Sequence, residues 1–149
     1  LVDIFEGMQD LERKVIRCVG DPRERFDEDA LRILRAIRFS AQLGFEIDEA
    51  TKNAMTEKAE TLKDVSAERI RVELVKLITS AHPEKIAEAC RLGLTRVVLP
   101  EYDAIVGVEQ HTPNHIYDVE NHTLKALQFY TEVPFFISIF LFRHLINQC

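Results

Sequence analysis

The chain has 149 residues, 46% hydrophobic and 30% charged, with a net charge of −6. That size and balance fit one ordinary domain or two small ones and exclude wholesale disorder. The acidic balance also excludes a protein that coats nucleic acid uniformly, so any phosphate contact must be local.

The opening does not read as a signal peptide, because Asp3 and Glu6 stand where a basic start and an apolar core would lie. A first residue of Leu1 rather than Met points to a piece of a longer chain. The three cysteines, Cys18, Cys90 and Cys149, are far apart, odd in number and without a C-x-x-C pair. They suit thiols in a reducing cytoplasm better than a disulfide frame or a zinc knuckle. Five glycines and five prolines fall between periodic segments. This is the punctuation of an all-α protein.

In the first segment Gly7 and the pair Gly20-Asp21 mark turns, Asp10 is placed to cap a short helix, and VIRCV suits a short strand. Asp27 is predicted to N-cap a helix over residues 28–43, with Glu28 and Asp29 at its positive end and Gly44 as its left-handed stop. A second helix starts at Asp48. Ser66 caps a third over AERIRVELVKLITS, and Pro83 opens a fourth that Gly93 ends. Residues 94–99 suit either a helix or a short apolar run, closed by Pro100. A polar, histidine-bearing loop follows, then a helix over residues 117–130. The tail VPFFISIFLFRHLINQC is too short and interrupted to span a membrane, which takes about 20 apolar residues. Exposed, it would favour a homodimer through its apolar side chains.

The stretch EDALRILRAIRF carries the sharpest signal. At roughly 100° per residue, Ala30, Ile33, Leu34, Ile37 and Ala41 share an apolar face, and Arg32, Arg35 and Arg38 fall on an arc away from it. Glu28 can pair with Arg32 at i+4. Arg35 and Arg38 have no acid three or four residues away. Such a stripe repels itself unless an anion, or carboxylates from another element, relieves it. Asp29 before Arg32 also makes a base-reading pair in principle. A carboxylate accepts from an exocyclic amine, and a guanidinium donates to a ring nitrogen or carbonyl. Cytosine and adenine carry an amine beside an acceptor, whereas guanine and uracil present the reverse.

At these residues the sequence resembles a known family. VGDPRERFDEDALRILRAIRFSAQLGF is similar to the signature segment of class II tRNA nucleotidyltransferases, the CCA-adding enzymes, and of their poly(A) polymerase relatives. The likeness continues through VSAERIRVELVKLI and LGLTRVVLPE and covers residues 1–127. It departs at the start, where the family shows Pro for Ile4 and Gly for Glu6, so that turn is expected to differ. The resemblance implies the end of a catalytic head domain over residues 1–25, a neck over 26–105 and the start of an HD-like body over 106–149. It implies that Glu28, Asp29 and Arg32 form the motif that reads the incoming nucleotide, with Arg35 and Arg38 holding phosphate or bracing the pocket. It implies tRNA, CTP and ATP as partners in the cytoplasm. Two Mg²⁺ ions are held by an Asp-x-Asp pair that lies in the head and not in this chain. No catalytic residue is therefore expected here, and Asp27 with Asp29 belongs to the reading motif rather than to a metal. The 149-residue chain alone is expected to be inactive.

Within QHTPNHIYDVENHTLKAL, a metal site of the HD type would use His115 and His122. The His-Asp pair such a site needs is absent, since His144 precedes Leu145. Ordinary polar roles are expected for these histidines. The alternatives to the CCA-adding reading are a poly(A)-adding, CC-adding or A-adding relative, an HD-type metal phosphohydrolase fragment, and a non-catalytic helical RNA-binding module.

Overall fold

The predicted helices are present, but the chain divides them differently. The computed structural model describes residues 6–108 and 119–130. Over these it runs α1 (Gly7–Arg13), β1 (Val15–Ile16), α2 (Pro22–Glu28), α3 (Leu31–Leu43), β2 (Glu46–Ile47), α4 (Glu49–Glu57), α5 (Ala67–Ile78), α6 (Ile86–Arg91), α7 (Thr95–Val98), α8 (Pro100–Asp103) and α9 (Val119–Tyr130). Single 3-10 segments over Ala59–Asp64 and Pro83–Lys85 join α4 to α5 and lead into α6.

Asp10 lies inside α1 rather than capping it. The cap position is Glu6, whose φ of 57° is left-handed, a conformation that favours glycine. The expected strand VIRCV shrinks to Val15–Ile16, which pairs in parallel with Glu46–Ile47. It stops there because the Cys18 N–H turns aside to donate to Thr51 Oγ1 at 3.1 Å.

The single helix expected over 28–43 is two helices. Asp21 caps α2 by accepting from the Arg23 N–H, and Pro22 takes the first helical position. Asp27 is consequently inside α2, bound to Lys58 at 2.7 Å, and caps nothing. The chain breaks at Asp29, whose backbone is extended at φ −154° and ψ 101°. The Asp29 carboxylate accepts from the Leu31 N–H at 3.2 Å and its carbonyl from the Arg32 N–H at 3.0 Å. Phe26 from α2 and Leu31, Ile33, Leu34 and Ile37 from α3 share one core.

Gly44 ends α3 at φ 66°, its N–H donating to the Ser40 carbonyl at 2.9 Å. Asp48 caps α4 through the Thr51 N–H. Ser66 takes the cap position of α5 in extended conformation, without a side-chain cap bond. Pro83 opens the 3-10 turn rather than α6 itself, and α6 ends at Arg91, ahead of Gly93. Residues 95–98 are helical, which settles the open reading of 94–99. Helix α3 lies at the centre, packed along α5 and against the strand pair. Met55, Leu62, Ile86 and Leu94 extend the same core. Among the described residues no helix is long and apolar enough to cross a membrane. His111, His115, Asp118 and the apolar tail with Cys149 lie outside the described residues. His122 falls on α9, with its side chain also outside them.

Candidate functional site

The junction between α2 and α3 gathers the motif residues. Glu28 closes α2, and its carboxylate accepts from Arg32 Nη1 at 2.5 Å and from Arg25 Nη1 at 2.7 Å. The bonds from Arg32 and then Arg25 hold the Glu28 carboxyl below its ordinary value. The same Arg32 nitrogen donates to the Arg25 carbonyl at 3.0 Å. The predicted i+4 pair therefore exists and fixes one edge of the Arg32 guanidinium. A guanidinium has five N–H donors in a planar fork. The Nε and Nη2 donors of Arg32 meet no acceptor among the described residues.

Asp29 and Arg32 sit one turn apart, with side chains 29% and 39% exposed. Their side chains do not bond to each other. Asp29 instead accepts from Arg69 Nη2 on α5, at 3.1 Å to Oδ2 and 3.3 Å to Oδ1. Together with the Leu31 N–H this occupies Oδ1 fully and leaves a lone pair on Oδ2.

The arginine stripe does not behave as one unit. Steps of three drift by about 60° round a helix, so Arg38 has turned about 120° from Arg32 and lies beneath α5. There Arg38 Nε meets Glu73 Oε2 at 3.1 Å, with side chains only 11% and 9% exposed. The contact is close enough for strong attraction, but its angle is poor, and neither atom completes a hydrogen bond. The Arg38 guanidinium also lies 4.1 Å from the centre of the Phe39 ring. Arg35 remains exposed, with no acidic partner among the described residues. Of these two arginines, the expected relief by a carboxylate from another element thus applies to Arg38.

The residues that sequence reasoning missed here are Arg69 and Glu73. They stand one turn apart on α5 and present an arginine and a carboxylate to Asp29 and Arg38. Their i, i+4 spacing was the available signal, but periodicity cannot say which helix they face. Cys18 lies near the same junction. Burial pushes its thiol above the ordinary value, against the pull of Arg32 and Arg25. Among the described residues no three His, Cys, Asp or Glu side chains converge on a point a metal could occupy.

With this geometry in place, the chain can be compared with known proteins. Residues 44–106 match the family model described as "Probable RNA and SrmB- binding site of polymerase A". The CCA-adding enzyme of Levilactobacillus brevis is 41% identical over 131 residues, 86% of this chain and 30% of that protein. That of Staphylococcus saprophyticus is 40% identical over 139 residues, 93% of this chain and 32% of that protein. A solved CCA-adding enzyme in complex with ATP superposes with a TM-score of 0.61 at 30% identity, covering 75% of this chain and 25% of that one. The Bacillus stearothermophilus CCA-adding enzyme in complex with CTP gives 0.56 at 31% identity, covering 87% and 28%. Sequence and fold similarity thus mark a helical segment of a nucleotidyltransferase. The chain belongs to the family of class II CCA-adding enzymes. It spans about a third of the length of the curated relatives it matches.

Proposed function

We propose that this segment serves the addition of CCA to tRNA 3′ ends from CTP and ATP in the cytoplasm. Its part is to read the incoming base and to offer tRNA a helical surface. The observation that carries the reading is the junction at residues 28–32. There a carboxylate and a guanidinium stand one turn apart, each partly exposed and each with hydrogen-bonding capacity left over. Asp29 accepts from the exocyclic amine of cytosine or adenine, and Arg32 donates to the neighbouring ring nitrogen or carbonyl. Guanine and uracil place an acceptor against the carboxylate and a donor against the guanidinium, and both contacts repel. In this reading Arg35, which is exposed, holds phosphate, and Arg38, mostly covered beside Glu73, braces α3 against α5.

In this reading residues 1–25 end a head domain, 26–105 form the neck and 106–149 begin an HD-like body. The chemistry is attack of the RNA 3′-hydroxyl on the α-phosphate, which forms the O3′–Pα bond and releases pyrophosphate. Mg²⁺ bound in the head domain would supply the electrostatic help for that step.

The test uses a full-length CCA-adding enzyme carrying this segment in place of its own. Asp29→Ala should erase preference for CTP and ATP over GTP and UTP, and Arg35→Ala should raise KM for both correct nucleotides. Normal selectivity in the first and unchanged KM in the second would refute the reading. A product of oligo(A) rather than CCA would assign the chain to the poly(A)-adding relatives. The 149-residue chain by itself should not incorporate labelled CTP into tRNA.

A further inference from the structure

We infer that Phe39 on α3 is a stacking surface for the 3′-terminal base of the RNA that receives the nucleotide; the inference rests on the base-reading role proposed above. Helix α3 buries Leu31, Ile33, Leu34, Ile37 and Ala41 and turns Arg32, Arg35, Phe39 and Leu43 the other way. Seven residues make almost two whole turns, so Phe39 stands within about 20° of Arg32 around the helix and about 10 Å further along it. Arg35 lies between them. Phe39 is 38% exposed, and Leu43, one turn beyond, is 53% exposed. Every other leucine and isoleucine of α3 is buried, so this pair adds little to the core.

The surroundings of the ring suit a nucleic-acid base. The Arg38 guanidinium, 4.1 Å from the ring centre, holds Phe39 on one side. The exposed part of the ring is then a fixed platform, and bases of any identity stack on such platforms. The neighbours on the same face are cationic. Arg35 has no acidic partner among the described residues, and Arg32 keeps its Nε and Nη2 donors. A phosphate strand is therefore attracted to this face although the chain as a whole is acidic. The order along α3 also matches the reaction. The incoming base is read at Arg32 and its phosphates are held at Arg35. The attacking 3′-hydroxyl must approach those phosphates from the side away from the base, and Phe39 is the next exposed apolar group on that side.

The test uses the same full-length enzyme and a tRNA lacking CCA, with 2-aminopurine as its last base. The fluorescence of that base falls when it stacks. Saturating parent enzyme without nucleotide should quench it, and Phe39→Ala and Phe39→Leu should lose most of the quenching, whereas Phe39→Trp should keep it. KM for tRNA should rise about tenfold in Phe39→Ala and Phe39→Leu, the loss of one base–aromatic stack. KM for CTP, and selectivity for CTP and ATP over GTP and UTP, should stay parental. Both variants also remove the contact with Arg38, so rates are read well below their thermal midpoints. Leucine keeps the apolar bulk without a π face. A ring that merely packs against another part of the enzyme therefore predicts parental quenching and KM in Phe39→Leu, and that result would overturn the inference. Parental KM for tRNA in Phe39→Ala, beside lost selectivity in Asp29→Ala, would overturn it while leaving base reading intact. Unchanged selectivity in Asp29→Ala would instead overturn base reading and the placement of Phe39 with it.

Discussion

Removing one partner of the Arg38–Glu73 pair should damage the fold far more than removing both. At 3.1 Å the two charges attract by about 5 kcal/mol at an effective dielectric of 20. Burial to 11% and 9% exposure has already stripped most of their water, so the attraction serves mainly to offset desolvation. Glu73→Leu leaves the Arg38 guanidinium buried with only the Phe39 ring face, 4.1 Å away, as compensation. A stranded buried charge costs about 3–5 kcal/mol and a cation–π contact returns about 1 kcal/mol, so a loss near 3 kcal/mol is expected. Arg38→Met strands the carboxylate and should cost a similar amount. The double variant Arg38→Met/Glu73→Leu fills the same space with apolar atoms and should come within about 1 kcal/mol of the parent. The poor alignment that leaves Arg38 Nε and Glu73 Oε2 without a hydrogen bond favours that outcome. Urea denaturation at neutral pH, with a constant slope across the four proteins, measures the cycle. Single variants that each lose under about 1 kcal/mol, or a double variant that loses the sum of the singles, would refute the reasoning.

Glu28 should contribute to acid sensitivity. Its folded carboxyl lies below the ordinary value of 4.5, through bonds from Arg32 and then Arg25. Its contribution is therefore complete above that value and is lost as pH falls through the lowered folded one. Thermal midpoints of the parent and Glu28→Gln should differ most near neutrality and converge in acid. Gly44→Ala should cost about 1–2 kcal/mol for its left-handed φ of 66°. It should cost somewhat more because the new Cβ would stand 2.8 Å from His82 Nε2, and adding His82→Ala should return only that second part. Glu6→Gly should stabilise by up to about 1 kcal/mol, because Glu6 holds a left-handed φ of 57° and its bond to Arg17 is exposed. Arg35→Ala should shift the urea midpoint by no more than about 0.5 kcal/mol equivalent, since its side chain is exposed and has no acidic partner among the described residues.

Much of the arrangement is legible in local chemistry. The apolar face of α3, the stop at Gly44, the start at Asp48 and the pair Glu28–Arg32 each follow from residues within a turn or two of one another. The site residues on 28–38 could be named for the same reason. The order of Asp29 before Arg32 is a statement about hydrogen-bonding types that needs no coordinates. The error at Asp27 is also local in kind: Asp21, read as part of a turn, is followed by Pro22 and itself caps a helix that starts six residues earlier.

The chain bends at Asp29, whose carboxylate accepts from the Leu31 N–H, and Phe26 and the α3 face share one core on either side of the bend. The same packing lays α5 across α3 and brings Arg69 and Glu73, about forty and thirty-five residues downstream of their partners, onto Asp29 and Arg38. The sequence by itself determined which charges the reading stretch carries and the fold family it belongs to. Only the tertiary structure decided which of those charges stay exposed: residue spacing sets angles around one helix, whereas neutralisation depends on which other helix lies against it.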